Sequence, residues 1–154
     1  MSRAFVREND GNAPEGVPER PVSQHPNFVT ARGLQQIDRR VRDLENEREA
    51  AKRAEDQAVV SSLERDLRYW LQRKSSAKLI ERDPSPRKTR FGVRVTVRYE
   101  DGEERSYTLV GEDEAEPAQG HISWISPIAQ ALIGSEPGDE VQLQGRPARV
   151  VRLD

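Results

Sequence analysis

The side chains that most often do chemistry are scarce in this chain. His25 and His121 are its only histidines, and cysteine is absent. Disulfides, thiolate metal sites and cysteine nucleophiles are therefore ruled out. Neither histidine has a ligand set or a nucleophile near it in sequence, so no metal site and no catalytic residue is expected. Carboxylates are more plentiful. Glu112-Asp113-Glu114-Ala115-Glu116 has two readings that stay open together: it steers a domain toward a basic partner surface, or it keeps a loop solvated. The net charge of −2 divides unevenly, −1 over residues 1–29, +3 over 30–80 and −4 over 81–154. No segment carries the strong one-sided positive field of a duplex-binding surface. A protein partner fits better, with the basic middle read as a solvated helix face.

The 154 residues suit one ordinary domain or two small ones. Apolar and charged residues each make up 34%, and the mean hydropathy is −0.89, too polar for one large core. An elongated, helical-arm protein with a small globular partner is expected. No apolar run approaches the roughly 20 residues that span a bilayer. The opening MSRAFVREND lacks the apolar stretch of a signal peptide. The expected protein is soluble and cytoplasmic, with no membrane partner.

Residues 1–29, with Pro14, Pro18, Pro21 and Pro26 and few large apolar side chains, read as an irregular extension. Its apolar cluster, Ala4, Phe5 and Val6, either frays or tacks the tail onto a groove, fraying being preferred. Residues 30–80 read as two helices. Thr30 is an N-cap candidate, and Leu34, Ile37, Val41 and Leu44 continue in register through Arg48 to Ala51. Val60, Leu63, Leu67 and Trp70 lead through Lys74 to Ala77. Trp70 is read as core between the two arms. The polar stretch Lys52–Gln57 breaks the stripe, which favours an antiparallel hairpin roughly 35 Å long. One continuous helix dimerising through both stripes is the competing arrangement. Asp83-Pro84-Ser85-Pro86 ends the helix and opens a linker over 81–89. Residues 90–154 then switch to period two. Val93, Val95, Val97 and Tyr99 share one face, Asp101-Gly102 turns the chain, and Arg105–Val110 returns. Ile122–Ile125, Val141–Leu143 and Ala148–Leu153 are further strands, the last two joined by a turn at Gly145-Arg146-Pro147. A helix capped by Ser126-Pro127 ends at Gly134. The class is α+β: a coiled-coil hairpin followed by an antiparallel sheet with one short helix.

The stretches Phe91-Gly92-Val93-Arg94-Val95-Thr96-Val97, Tyr107-Thr108-Leu109-Val110-Gly111, Ile122 through Gly134, and Gly138-Asp139-Glu140-Val141 closely resemble the C-terminal, FKBP-like domain of the Gre transcript-cleavage factors. The helical pair entered through Val29-Thr30-Ala31-Arg32-Gly33-Leu34 is similar to that family's N-terminal coiled-coil hairpin. The resemblance implies a non-enzymatic regulator with RNA polymerase as partner. The head docks at the rim of the secondary channel, the finger enters it, and nucleic acid is met only through the transcription complex. No intrinsic cofactor is implied; acidic residues at the finger tip help hold Mg²⁺ in the polymerase active site.

The tip motif of the cleavage-competent members, an Asp and a Glu about three residues apart before Asn-Ala and an aromatic, has no counterpart in Glu49–Ser62. Glu55 and Asp56 are the acidic pair near the turn, flanked by Lys52 and Arg53, and a solvated turn explains them as well. The stretch from Gly33 to Phe91 looks about 20 residues short, which costs each arm ~15 Å of reach. A carboxylate that far back cannot meet the 2.0–2.6 Å metal–oxygen distance, so transcript-cleavage stimulation is expected to be weak or absent. The short coiled coil is similar to that of the regulator of nucleoside diphosphate kinase. Trp124, Ile125, Ser126 and Pro127 match the segment that faces the polymerase; alternation places one of Trp124 and Ile125 in the core and the other outside. An FKBP-like prolyl isomerase and a dimerising coiled-coil scaffold are the alternatives. A hairpin predicts a monomer.

Overall fold

The structure is a computed structural model and describes residues 17–154. The cluster Ala4-Phe5-Val6 and Pro14 lie outside the described residues. Thr30 caps the first helix as expected: its hydroxyl accepts the Gly33 N–H at 3.0 Å, and α1 runs over Ala31–Arg53. Arg53 ends it at the polar break. Ala54, Glu55 and Asp56 reverse the chain, Glu55 taking φ +56°. α2 spans Gln57–Ser76, its N-terminus capped by Asp56. The Asp38–Lys74 ion pair at 3.0 Å ties the start of α1 to the end of α2, so the arms are antiparallel and the continuous rod is excluded. Val41, Leu44 and Leu67 form the seam, with Leu63 and Trp70 packed against it. Trp70 is only half-buried, so it flanks the seam rather than filling it.

Two features of the base were not expected. α2 stops at Ser76, well ahead of Asp83, because Ala77 turns extended (φ −59°, ψ 130°). The Lys78 and Ile80 N–H groups then donate to the carbonyls of Asn27 and Val29 at 2.8 and 3.0 Å. The result is a parallel ribbon of β1 (Phe28–Val29) and β2 (Lys78–Leu79). The two last residues of the expected irregular extension are therefore a strand.

The head is a five-stranded sheet in the order β5-β4-β3-β7-β6. β3 is Arg94–Tyr99, β4 Glu104–Val110, β5 His121–Ser123, β6 Glu140–Leu143 and β7 Arg146–Leu153. Helix α3, Pro127–Leu132, starts at the Ser126 cap with proline in its first turn. The period-two face reads through: Val95, Val97, Tyr99, Tyr107, Leu109, Val150 and the α3 residues Ala129 and Leu132 share one core. The expected antiparallel pattern needs one correction, since β5 runs parallel to β4. A helical turn at Pro117–Gln119 and left-handed Gly120 carry the chain back before β5 starts, which a tight hairpin would not do. The last turn also moves: Gln144 and Gly145 both take positive φ, 52° and 77°, a two-residue hairpin turn that leaves Arg146 and Pro147 in β7.

Among the described residues, no helix is long and apolar enough to cross a membrane. Leu44 has no solvent exposure in the hairpin seam. Leu44→Ala is expected to lower unfolding free energy by about 2–5 kcal/mol, read from urea denaturation followed at the helical circular-dichroism band.

Candidate functional site

Three places bear on function: the finger tip, the loop before α3, and the joint between finger and head. At the tip, Glu55 and Asp56 are exposed. Asp56 Oδ1 accepts the Val59 N–H at 3.2 Å, satisfying one of the donors that every helix N-terminus leaves open. That bond uses Oδ1 and leaves Oδ2 open. Glu55 stands beside it in a left-handed conformation, and Lys52 pairs with Glu49 at 3.7 Å. Among the described residues no group of three acidic or histidine side chains is placed to hold a metal ion. The donor set at the tip is two adjacent exposed carboxylates, too few by themselves for a cation that takes six or more oxygen ligands.

Trp124, Ile125, Ser126 and Pro127 form a turn rather than a strand end. The Trp124 N–H donates to the Val110 carbonyl at 2.9 Å, and the Gln130 amide donates to the Trp124 carbonyl at 2.8 Å. Ser126 Oγ accepts the Ala129 N–H at 3.3 Å as the α3 cap. Trp124 and Ile125 are both half-buried. The expectation that one is core and the other exposed fails because β5 ends at Ser123, where strand alternation stops. The indole of Trp124 packs on Phe28 (ring centroids 5.1 Å) and edge-on to His25 (6.1 Å). Phe91 packs on the other side of Phe28 at 5.9 Å. Tyr99 and Tyr107 join hydroxyls at 3.1 Å inside the head. The four aromatics of the head thus do not ring a common pocket.

The joint is where the acidic run goes. The turn Glu112–Glu114 neither steers nor floats; it grips the hairpin base. Arg73 of α2 is 1% exposed. Its Nε donates to Asp113 Oδ2 at 2.5 Å, and one terminal nitrogen donates to Asn27 Oδ1 at 2.8 Å, with Glu112 Oε2 3.7 Å from it. Asn27 answers by donating its amide to the Arg73 carbonyl at 2.7 Å, filling one of the acceptors left open at the end of α2. The Tyr69 hydroxyl donates to the other Asp113 oxygen at 2.5 Å. Glu114, buried to 7% exposure, accepts from the Thr30 hydroxyl at 2.6 Å. It therefore sits at the N-terminus of α1, whose own first turn holds no acidic residue, where the helix dipole favours a negative charge.

Two glycines permit this fit. A Cβ on Gly33 would stand 2.5 Å from Glu114 Oε2, and one on Gly111 would stand 2.5 Å from the Phe28 carbonyl oxygen. The segment before β1 closes the arrangement from outside: the Arg20 guanidinium lies 3.9 Å over the Tyr69 ring and 3.6 Å from Asp66, and Glu19 pairs with Arg68 at 2.5 Å. Arg73, Tyr69, Asn27 and Arg20 were not singled out in the sequence. A possible signal was an arginine next to the stripe position Lys74, but only the fold shows which of the two points inward; Lys74 is on the surface pairing with Asp38.

A family model described as "Transcription elongation factor, GreA/GreB, C-term" matches residues 84–152. The transcription elongation factor GreA of Nitratidesulfovibrio vulgaris (strain DP4) is 33% identical over 132 residues, covering 73% of this chain and 81% of that protein. The chain belongs to the GreA/GreB family. Transcription elongation factor GreB of Yersinia pestis is also 33% identical, over 137 residues, with 77% of this chain and 80% of that protein covered. Among solved structures, the GreA factor homolog 1 (Gfh1) protein of Thermus thermophilus aligns over 84% of this chain and 99% of its own, at 19% identity and a TM-score of 0.41. In this GreA/GreB-family protein the buried charges lie at the finger–head joint, not at the finger tip.

Removing the Arg73 side chain leaves Asp113 with Tyr69 as its one remaining donor and strands the buried Asn27 Oδ1. Arg73→Ala is expected to cost about 3–5 kcal/mol of stability, measured by chemical denaturation. Burial, followed by the hydrogen bond to Asp113, pushes the Tyr69 hydroxyl up from 10.0 to about 12. Burial and the Tyr107 hydroxyl do the same to Tyr99, also to about 12. A phenol whose folded value is raised adds stability below its unfolded value, and that stability is lost as pH climbs from about 10 to about 12. Absorbance titration at the phenolate band should show two late-ionising tyrosines, with Tyr69→Phe removing one of them.

Proposed function

We propose that this protein is a Gre-like transcription elongation regulator that binds RNA polymerase at the secondary-channel rim and stimulates transcript cleavage weakly or not at all. In this reading residues 90–154 are the docking head, 81–89 the linker and 30–80 the finger. Trp124, Ile125, Ser126 and Pro127 make the docking contact. Nucleic acid is met only through the transcription complex, so the protein acts in the cytoplasm, as a monomer, and is not an enzyme in its own right. Family membership supports the partner. The observation that supports the limit on cleavage is the tip: its two exposed carboxylates, Glu55 and Asp56, are adjacent rather than spaced, and Asp56 is tethered to the start of α2 as its cap.

The Mg²⁺ at issue belongs to the polymerase, where it would stabilise the attacking and leaving oxygens of the phosphodiester. What this chain's residues do is bind and occupy. The hairpin, 23 and 20 residues per arm, is about 30–35 Å long at the α-helical rise. It fills space in a channel that nucleotides and longer fingers also use. The finger's basic and acidic side chains are spread along α1 and α2 with both signs interspersed, several of them paired.

The protein is mixed with a stalled, backtracked polymerase complex and Mg²⁺, and the transcript is resolved by length. Co-sedimentation with core polymerase at micromolar concentration and little or no shortened transcript are expected. In a mixture with a cleavage-competent Gre factor, shortening should slow as this protein is added. Efficient cleavage that disappears in Glu55→Ala would show that the tip does reach the reaction, and failure to co-sediment would remove the partner.

A further inference from the structure

The contacts at the joint form a closed ring. Starting from the segment before β1, Arg20 stacks on Tyr69, Tyr69 donates to Asp113, Asp113 pairs with Arg73, and Arg73 returns to Asn27, seven residues after Arg20 in the chain, whose backbone closes the ring. The ring takes side chains from that segment, from α2 and from the head. Both places where the backbones or carboxylates come closest are glycines, Gly33 and Gly111, with no room for a Cβ at either. A joint of this kind has no slack in any direction: rotation of the finger would leave a fully buried guanidinium without its carboxylate.

The same head segment also carries the docking loop. Gly111 follows β4, the acidic turn follows Gly111, and β5 leads straight into Trp124. The Val110 carbonyl, one residue before Gly111, holds the Trp124 N–H. Phe28, whose carbonyl crowds Gly111, places its ring against Trp124. The surface read as meeting the polymerase and the grip on the finger are thus two sides of one short piece of backbone. We propose that the Arg20–Tyr69–Asp113–Arg73–Asn27 ring is the device that aims the finger from the docking loop. Asp113 and Arg73 are positioning residues, and residues 17–27 are a brace that holds the ring closed. This gives the segment before β1 a task separate from binding: it sets where Glu55 and the rest of the tip stand once the head is seated. The functional half of the inference rests on the polymerase reading above; the rigidity half does not.

The chain has no cysteine, so a pair placed at Arg53→Cys on the finger and Gln142→Cys on the head takes two spin labels with no background. Electron–electron resonance distances in the free protein should give one narrow distribution. Asp113→Ala, and separately the surface change Arg20→Ala, should broaden it roughly twofold or more while the helical circular dichroism stays intact. On the polymerase, the same variants should keep their affinity within about threefold but lose their effect on elongation by about tenfold, a split that a merely structural role would not produce. If Asp113→Ala fails to fold, Arg20→Ala decides alone. Distances as narrow as in the parent overturn the inference. Affinity and elongation effect falling in parallel overturn it too, since the ring would then be part of docking. A parent protein that does not bind polymerase removes the proposed function, while the distances still decide whether the ring fixes the finger.

Discussion

A guanidinium cannot be taken out of water without a negative partner and filled hydrogen bonds, and Arg73 is taken out almost completely. Everything at the centre of this molecule is arranged around that requirement. Asp113 and Glu112 supply the charge, Asn27 takes up a further donor, and Tyr69 satisfies the second Asp113 oxygen. These partners come from three separated parts of the chain, so the full set of contacts exists only when the segment before β1, the hairpin and the head are assembled. A buried pair of this kind adds little net stability, because desolvation offsets most of the attraction. Its contribution is to specificity: an alternative packing of finger on head would strand the charge.

The hairpin needs the joint for a second reason. Its seam is narrow, with Ile37, Val41, Leu44 and Ala51 on α1 and Val60 and Leu67 on α2 as its buried apolar members, and a helix in a protein draws most of its stability from packing rather than from propensity. The base is where the arms are tied off, by the β1–β2 ribbon, by the Asp38–Lys74 pair and by Glu114 at the start of α1. The head, by contrast, has its own core on one face of its sheet. The finger is thus the dependent part, and the direction it points is decided where it is attached. That arrangement suits a protein whose activity, in the reading offered here, is to put a slender object into a channel.

The legible parts of the sequence were those governed by local periodicity. The two helical stripes, the break at Lys52–Gln57, the Thr30 cap, the Ser126-Pro127 start of α3 and the alternation in β3 all depend on neighbours within a few residues. The misread parts depend on distant ones. α2 ends at Ser76 because Asn27 and Val29 offer carbonyls to Lys78 and Ile80, and nothing between Ala77 and Ile80 announces it. β5 pairs parallel because Gly120 takes a left-handed turn, and Trp124 escapes strand alternation for the lack of two more ladder residues.

The acidic run is the clearest division between the two sources of information. The sequence alone shows that Glu112, Asp113 and Glu114 are charged and adjacent, and its resemblance to the Gre factors implies that the region around them folds as a β-rich head. It also shows that the tip lacks a spaced pair of acids, since that is a matter of residue identity. Whether those three carboxylates face water, a partner or the protein's own finger is not encoded in any window of the chain, because Arg73 lies some 40 positions earlier. Tertiary structure decides it by burying Arg73 beside Glu112 and Asp113 and by setting Glu114 on the Thr30 cap of α1, and a buried positive charge needs a negative partner.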